Sequence, residues 1–355
     1  PSSAQGIAHF LEHMIFMGSD KYRDPNEYMQ FISENGGETN AFTADQQTTY
    51  LFSINSDKFE DALDRLSAAI KSPLFDGTMV EKEINAVNSE WLLRRQSEAF
   101  IRQRTAAMTG NLNHPKTLLG VGNKETLSSE KEILLQSLRE FHKRYYSANI
   151  MKLILVGNES PRKLKLMAKK YFGSIKNTNA SRDLIDTKAY LPENLKKNIY
   201  IKSKVKSPGL VLEFPIQNNS ANWRQKPNEY LGKLFNSQEE GTLMGSLTEN
   251  GYIQSGVAVF SPDAWAHDGS IFLEFTLTDK GQKNKDDIIS SVFTYINLIH
   301  EEGIVEDHFN ELKSINQIAF ENYTPQTPLS LAISLSLRVY DIEPKHIIDS
   351  EYVTE

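Results

Sequence analysis

Apolar positions Phe59, Leu63, Leu66 and Ile70 recur at helical spacing and predict a helix from about Asp57 to Lys71, closed by Pro73. The same periodicity predicts a longer helical stretch from about Thr78 to Met108 and another from Ser129 to Tyr145. The apolar run Met151 to Val156 reads as a buried strand. Ser160-Pro161 then supplies an N-cap and first-turn residue for a helix ending at Gly173. Between Gly37 and Ile54, polar and apolar positions alternate as in two strands joined near Ala44-Asp45-Gln46. The pattern is that of an α+β unit.

The polar stretch Lys176 to Asp183 has no periodic apolar face, which makes it a linker candidate and sets expected domains of 1–183 and 184–355. Beyond it the grammar recurs. Glu34-Asn35-Gly36 ends a helix ahead of the first strand pair and the Asp57 helix. Glu249-Asn250-Gly251 ends another ahead of Tyr252 to Phe260, Ser270 to Thr278 and a helix from Asp286 to His300. The expected architecture is therefore two related domains, each a mainly antiparallel sheet packed against helices.

Composition narrows the function. The 355 residues, 39% hydrophobic with 10% aromatic, can fill two cores. A net charge of −7 argues against nucleic acid as the main partner, and the local basic stretches Lys163 to Lys170 and Lys196 to Lys206 read as solvated faces. No apolar run is long enough to cross a bilayer. Cysteine is absent, so thiolate metal sites and disulfides are excluded, and His and carboxylates remain as strong zinc ligands.

The chemistry concentrates in His9-Phe10-Leu11-Glu12-His13. At ~100° per residue, His13 lies about 40° around a helix from His9 and Glu12 about 60° to the other side, so all three side chains face one point. The order H-x-x-E-H is a zinc-hydrolase pattern: two imidazoles bind the metal and the carboxylate deprotonates water. The apolar Phe10, Leu11, Met14, Ile15, Phe16 and Met17 around it imply a buried helix. The segment holding Glu81, Glu83, Glu90 and Glu98 offers several carboxylates as a third ligand, and spacing does not choose among them. Glu83 and Glu90 share a stripe. In the second copy, the offset that separates His13 from Glu34 leads back from Glu249 to Asn228, so the motif is missing there; His300-Glu301 has Ile304 where a second His would stand and reads as a solvated helix end.

Ala8 to Met14, with Met17-Gly18-Ser19, Gly36-Gly37, Asn40-Ala41 and Glu83-Ile84-Asn85-Ala86-Val87-Asn88-Ser89-Glu90, resembles the pitrilysin/insulin-degrading-enzyme (insulinase) family of zinc peptidases. Phe141-His142 and Tyr145 to Asn149 extend the match, nearest the bacterial pitrilysin branch. The resemblance implies that His9, His13 and Glu90 bind Zn2+, that Glu12 is the catalytic general base, and that Glu83 orients a ligating imidazole through its other nitrogen. It implies that peptide substrate adds as a strand along Asn40, Ala41, Phe42 and Thr43; Phe42 and Phe100 either line a side-chain pocket there or are simple core aromatics. A second anchoring strand in the family is Gly-rich; Asn236 to Thr242 matches it here, keeping Gly241 but with bulkier residues elsewhere.

The implied function is a zinc-dependent metalloendopeptidase acting on peptides and small unfolded proteins, the alternative being a non-catalytic peptide-binding or assembly subunit of the same fold. A purely structural zinc site leaves Glu12 without a task. The family also has strands ahead of the motif helix and a further C-terminal half that completes a chamber. Pro1 and Glu355 leave no room for either, so a fragment of the N-terminal half is expected. The expected location is the periplasm, with the cytoplasm as alternative.

Overall fold

A computed structural model describes residues 4–128, 130–182, 185, 187–202, 208–261 and 268–355. Ser129, where a helix was expected to begin, lies outside these residues. So do Asp183 and Leu184 at the expected domain boundary, and Ser203 to Ser207, which include the end of the second basic stretch. The chain folds as an α+β protein of two compact units. One comprises residues 1–107, 115–183 and 325–340, the other 108–114, 184–324 and 341–355, so neither is contiguous in sequence.

In the first unit, α1 (Ile7–Ile15) and α2 (Glu27–Glu34) precede an antiparallel hairpin of β1 (Glu38–Thr43) and β2 (Thr48–Ser53). The hairpin register pairs Asn40 with Leu51 and Thr43 with Thr48. Next come α3 (Phe59–Lys71), α4 (Val80–Arg94), α5 (Glu98–Thr109), α6 (Lys131–Tyr145) and α7 (Pro161–Phe172). Helix α1 is the centre of the core: Phe10, Leu11, Met14 and Ile15 are completely buried, and it packs against α4, α6 and β1. Burying four such side chains contributes about 1.5–3 kcal/mol each, which holds the polar residues of the same helix inside the protein.

Two expectations are corrected here. The helical stretch expected from Thr78 to Met108 is broken after Arg94: the amides of Gln96 and Ser97 bond back three residues to Leu93 and Arg94, tightening the last turn. Ser97 then accepts the amide of Ile101 through its carbonyl and starts α5. Arg94-Arg95-Gln96 has no apolar anchor to carry the helix through. The run Met151 to Val156 forms no ladder among the described residues and is not buried, Leu153 being 41% exposed. An apolar run becomes a strand only where a neighbouring edge accepts its main chain.

The second unit contains β3 (Gly209–Gln217), α8 (Pro227–Asn236), α9 (Leu243–Glu249), β4 (Ile253–Ser261), β5 (Asp268–Leu277), α10 (Asp279–Lys283), α11 (Lys285–Glu302) and α12 (Glu306–Glu321). Its sheet is antiparallel in the order β3-β5-β4, with a register shift between Ile253 and Ser255. Leu273, Met244, Leu247, Ile288 and Val292 fill the core beneath it. The last helix, α13 (Pro328–Arg338), packs against β2 in the first unit.

Candidate metal centre and active site

Helix α1 opens on Gly6 in the left-handed conformation and runs through the motif within one element. His9 is 6% and Glu12 7% exposed, while His13 is half-buried. The two imidazoles stand 4.9 Å apart, nearly perpendicular. Both present Nε2 to one carboxylate of α4: His9 Nε2 lies 3.4 Å from Glu90 Oε2, and His13 Nε2 lies 3.4 Å from Glu90 Oε1. Ligand atoms of His9, His13 and Glu90 all lie within 4.8 Å of one another, the separation needed to share one ion.

The opposite ring nitrogens fix the tautomers. His9 Nδ1 lies 2.8 Å from the Val121 carbonyl, which only accepts, so Nδ1 carries the proton. His13 Nδ1 donates likewise to Glu83 Oε2 at 3.3 Å. Each Nε2 lone pair is thereby turned towards Glu90, the arrangement that metal-binding histidines require. The electrostatics differ between the two rings. Burial holds the His9 imidazole below its ordinary value, against the pull of Val121. Burial acts on His13 too, but the Glu83 hydrogen bond and the charges of Glu90, Glu83 and Glu12 outweigh it and raise that ring.

Glu12 is not among the three converging groups. Its Oε2 accepts a 2.5 Å hydrogen bond from the Thr43 hydroxyl, and Thr43 Oγ1 lies 3.1 Å from Thr48 Oγ1 across the hairpin. Near Glu12, the hydroxyls of half-buried Tyr50 and Tyr146 meet at 2.5 Å. Both phenols are pushed well above their ordinary value, chiefly by burial, so they remain neutral donors.

The hairpin puts Asn40, Ala41, Phe42 and Thr43 on β1, whose only strand neighbour among the described residues is β2. Asn40 is exposed, and Ala41, Phe42 and Thr43 are half-buried. Phe100 lies half-buried on α5, a different element. In the second unit, Gly241 takes a left-handed conformation in a turn closed by the Thr242 hydroxyl, which donates to the carbonyls of Ser237 and Glu239.

Two contributors escaped the sequence reading. The Thr43 side chain holds Glu12, whereas only its main chain was expected to matter. The Val121 carbonyl holds His9 from 112 residues away. Gly120-Val121-Gly122 was the available signal: paired glycines mark places where a backbone comes close to something.

Two imidazoles and one carboxylate thus converge as a group that could hold a metal ion, with the Glu12 carboxylate on the same helix as the imidazoles. Residues 1–119 match the model of insulinase (peptidase family M16), and residues 133–316 match that of the peptidase M16 inactive domain.

The chain belongs to the insulinase family.

Among relatives of this family, Protease 3 of Escherichia coli (strain K12) is 32% identical over 358 residues, covering 100% of this chain and 37% of that protein. Insulin-degrading enzyme of Homo sapiens is 32% identical over 363 residues, covering 100% of this chain and 35% of that protein. The crystal structure of pitrilysin superposes with a TM-score of 0.93 at 31% identity, covering 100% of this chain and 38% of that one. The chain thus spans little more than a third of these relatives and corresponds to their N-terminal part.

Proposed function

We propose that this protein is a zinc-dependent metalloendopeptidase, with His9, His13 and Glu90 as zinc ligands and Glu12 as general base. The observation that carries the reading is the convergence of both Nε2 atoms on Glu90, with each Nδ1 proton already engaged. Two His and one Glu match the donor set of hydrolytic zinc sites that keep a position for water. Zinc in such a site supplies Lewis acidity and lowers the pKa of bound water towards ~7.

The chain's own groups then have separate tasks. Val121 and Glu83 hold the imidazoles so that Nε2 faces inward. Glu12 removes a proton from the attacking water and returns one to the departing amine, and Thr43 limits which way its carboxylate turns. The unpaired side of β1 at Asn40 to Thr43 hydrogen-bonds substrate main chain, which suits peptides of varied sequence, and Phe42 and Phe100 receive side chains. The second unit is non-catalytic, in keeping with the description of the family model it matches.

Relatives almost three times as long support a further half that completes a chamber around the peptide. No helix among the described residues is long and apolar enough to cross a membrane; the periplasm is the proposed location and the cytoplasm the alternative.

The decisive experiment measures metal content and fluorogenic-peptide turnover on one sample of the full chain, before and after Glu12→Gln. Zinc retained with hydrolysis lost supports the reading. Hydrolysis retained by Glu12→Gln removes Glu12 as the base, whereas hydrolysis absent from the zinc-loaded parent leaves the protein as a peptide-binding member of the family.

A further inference from the structure

His9 takes its orientation from a loop, and glycines let that loop come near. Gly6, the residue before α1, has φ +87°, and Gly122 has φ +70°. A Cβ added to Gly6 would lie 2.3 Å from Gly122 Cα, 2.5 Å from Gly122 N and 3.1 Å from the carbonyl carbon of Val121. One added to Gly122 would lie 3.1 Å from Gly6 Cα and 3.2 Å from the Gln5 carbonyl. The two backbones therefore touch, with no room for a side chain at Gly6 and little at Gly122, and the carbonyl brought in by that contact is the one His9 Nδ1 bonds at 2.8 Å.

Other bonds brace the same loop. The Leu119 amide donates to Gln5 Oε1 at 2.7 Å, and the Gly122 amide to the Leu119 carbonyl at 3.0 Å. The Lys124 amide donates to Asn88 Oδ1 at 3.1 Å, two residues before Glu90 on α4. Asn123 and Thr126 close the turn through reciprocal amide-to-side-chain bonds of 2.9 and 2.8 Å. Residues 119–124 thus touch both helices that carry the converging groups.

We propose that the Gly6–Gly122 contact makes residues 119–124 a positioning bracket, which seats the Val121 carbonyl on His9 Nδ1 and sets the aim of the His9 imidazole at the metal. This rests on the zinc site proposed above. Outer partners of a ligating histidine typically govern metal affinity by about 10–100-fold, and here the partner is a main-chain carbonyl whose place depends on two missing side chains.

The test uses the full chain with Zn2+ alone, its affinity measured by chelator competition, and the visible spectrum of the Co2+-substituted protein, which reports ligand geometry. Gly6→Ala is expected to weaken Zn2+ binding by about 10–100-fold and to change the Co2+ bands. Gly36→Ala is the matched control: its φ is +67°, its Cβ would meet Asn55 Nδ2 at 2.7 Å, and it strains the same unit away from the loop. It is expected to leave both readouts as in the parent.

Unchanged Zn2+ affinity and Co2+ bands in folded Gly6→Ala overturn the proposal, as does an equal loss in Gly36→Ala. If Gly6→Ala does not fold, Gly122→Ala, whose Cβ meets nothing nearer than 3.1 Å and whose strain is that of a left-handed backbone at φ +70°, decides on the same two readouts. His9→Ala run in parallel separates the levels. Zinc affinity surviving His9→Ala removes the metal site itself, whereas its loss beside an unaffected Gly6→Ala removes only the bracket.

Discussion

The two units use one piece of structural grammar for different ends. In each, a short helix stops on a left-handed glycine, Gly36 after α2 and Gly251 after α9, with φ of +67° and +65°. Each stop has the same pair of bonds, the glycine amide to the carbonyl three residues back and the next amide to the carbonyl five back. These satisfy orphan carbonyls of the last turn and launch an antiparallel strand pair. The helices ahead of the two stops differ. Polar residues of α1 converge with Glu90 on one point. Those of α8 bond to their surroundings instead, Asn228 with the Asn219 amide and Glu229 with Lys226 and Asn316. Among the described residues the only candidate metal-binding group is His9, His13 and Glu90. A shared scaffold therefore does not imply shared chemistry; that depends on what three or four side chains face.

The comparison breaks most readily at the base. Glu12→Gln is expected to lower peptide hydrolysis by about 10²–10⁴-fold with zinc content and fold intact, whereas Glu229→Gln on α8 leaves turnover within about twofold. Steady-state kinetics with metal analysis on both variants would expose a misassigned unit. Next in size, His9→Ala, His13→Ala and Glu90→Ala should each lose zinc on dialysis, while Asn228→Ala keeps it. Zinc retained by Glu90→Ala would send the search for the third ligand elsewhere along α4 or α5.

A smaller effect is expected one step out from the ligands. Glu83→Ala should weaken zinc affinity by about 10–100-fold, read by chelator competition, because His13 loses the partner that fixes its tautomer. Smallest is the anchor of the base. Thr43→Val keeps the shape of the side chain but removes the hydroxyl, and should lower kcat about tenfold with KM and zinc affinity unchanged, a loss on the scale of one charge-assisted hydrogen bond. Thr43→Ser should restore it. Equal turnover in the Val and Ser variants would show that the short bond to Glu12 serves packing alone.

Much of the site could be read along the chain because a helix makes sequence spacing into geometry. His9, Glu12 and His13 needed only 3.6 residues per turn to share a face, and the apolar residues between them implied burial. Glu90 was harder: Glu83 shares its stripe on α4, spacing alone did not choose among the acidic residues of α4 and α5, and the resemblance to a family did. The helix expected from Thr78 to Met108 hid its break because polar residues at 95–97 interrupt a periodicity that resumes beyond them. Met151 to Val156 looked like a strand because apolar content marks an extended run but says nothing about a partner edge.

The sequence by itself determined the α+β class, the helical motif, the zinc-compatible donor types and the twofold use of one supersecondary unit. These follow from local rules in which neighbours in sequence are neighbours in space. Only the tertiary structure decided that both Nε2 atoms meet Glu90, that Thr43 holds Glu12, and that a carbonyl at position 121 fixes the tautomer of His9. A main-chain carbonyl has no side-chain signature, and a contact between two glycines is a contact between absences. Such groups acquire a role only when packing brings distant segments within hydrogen-bonding distance.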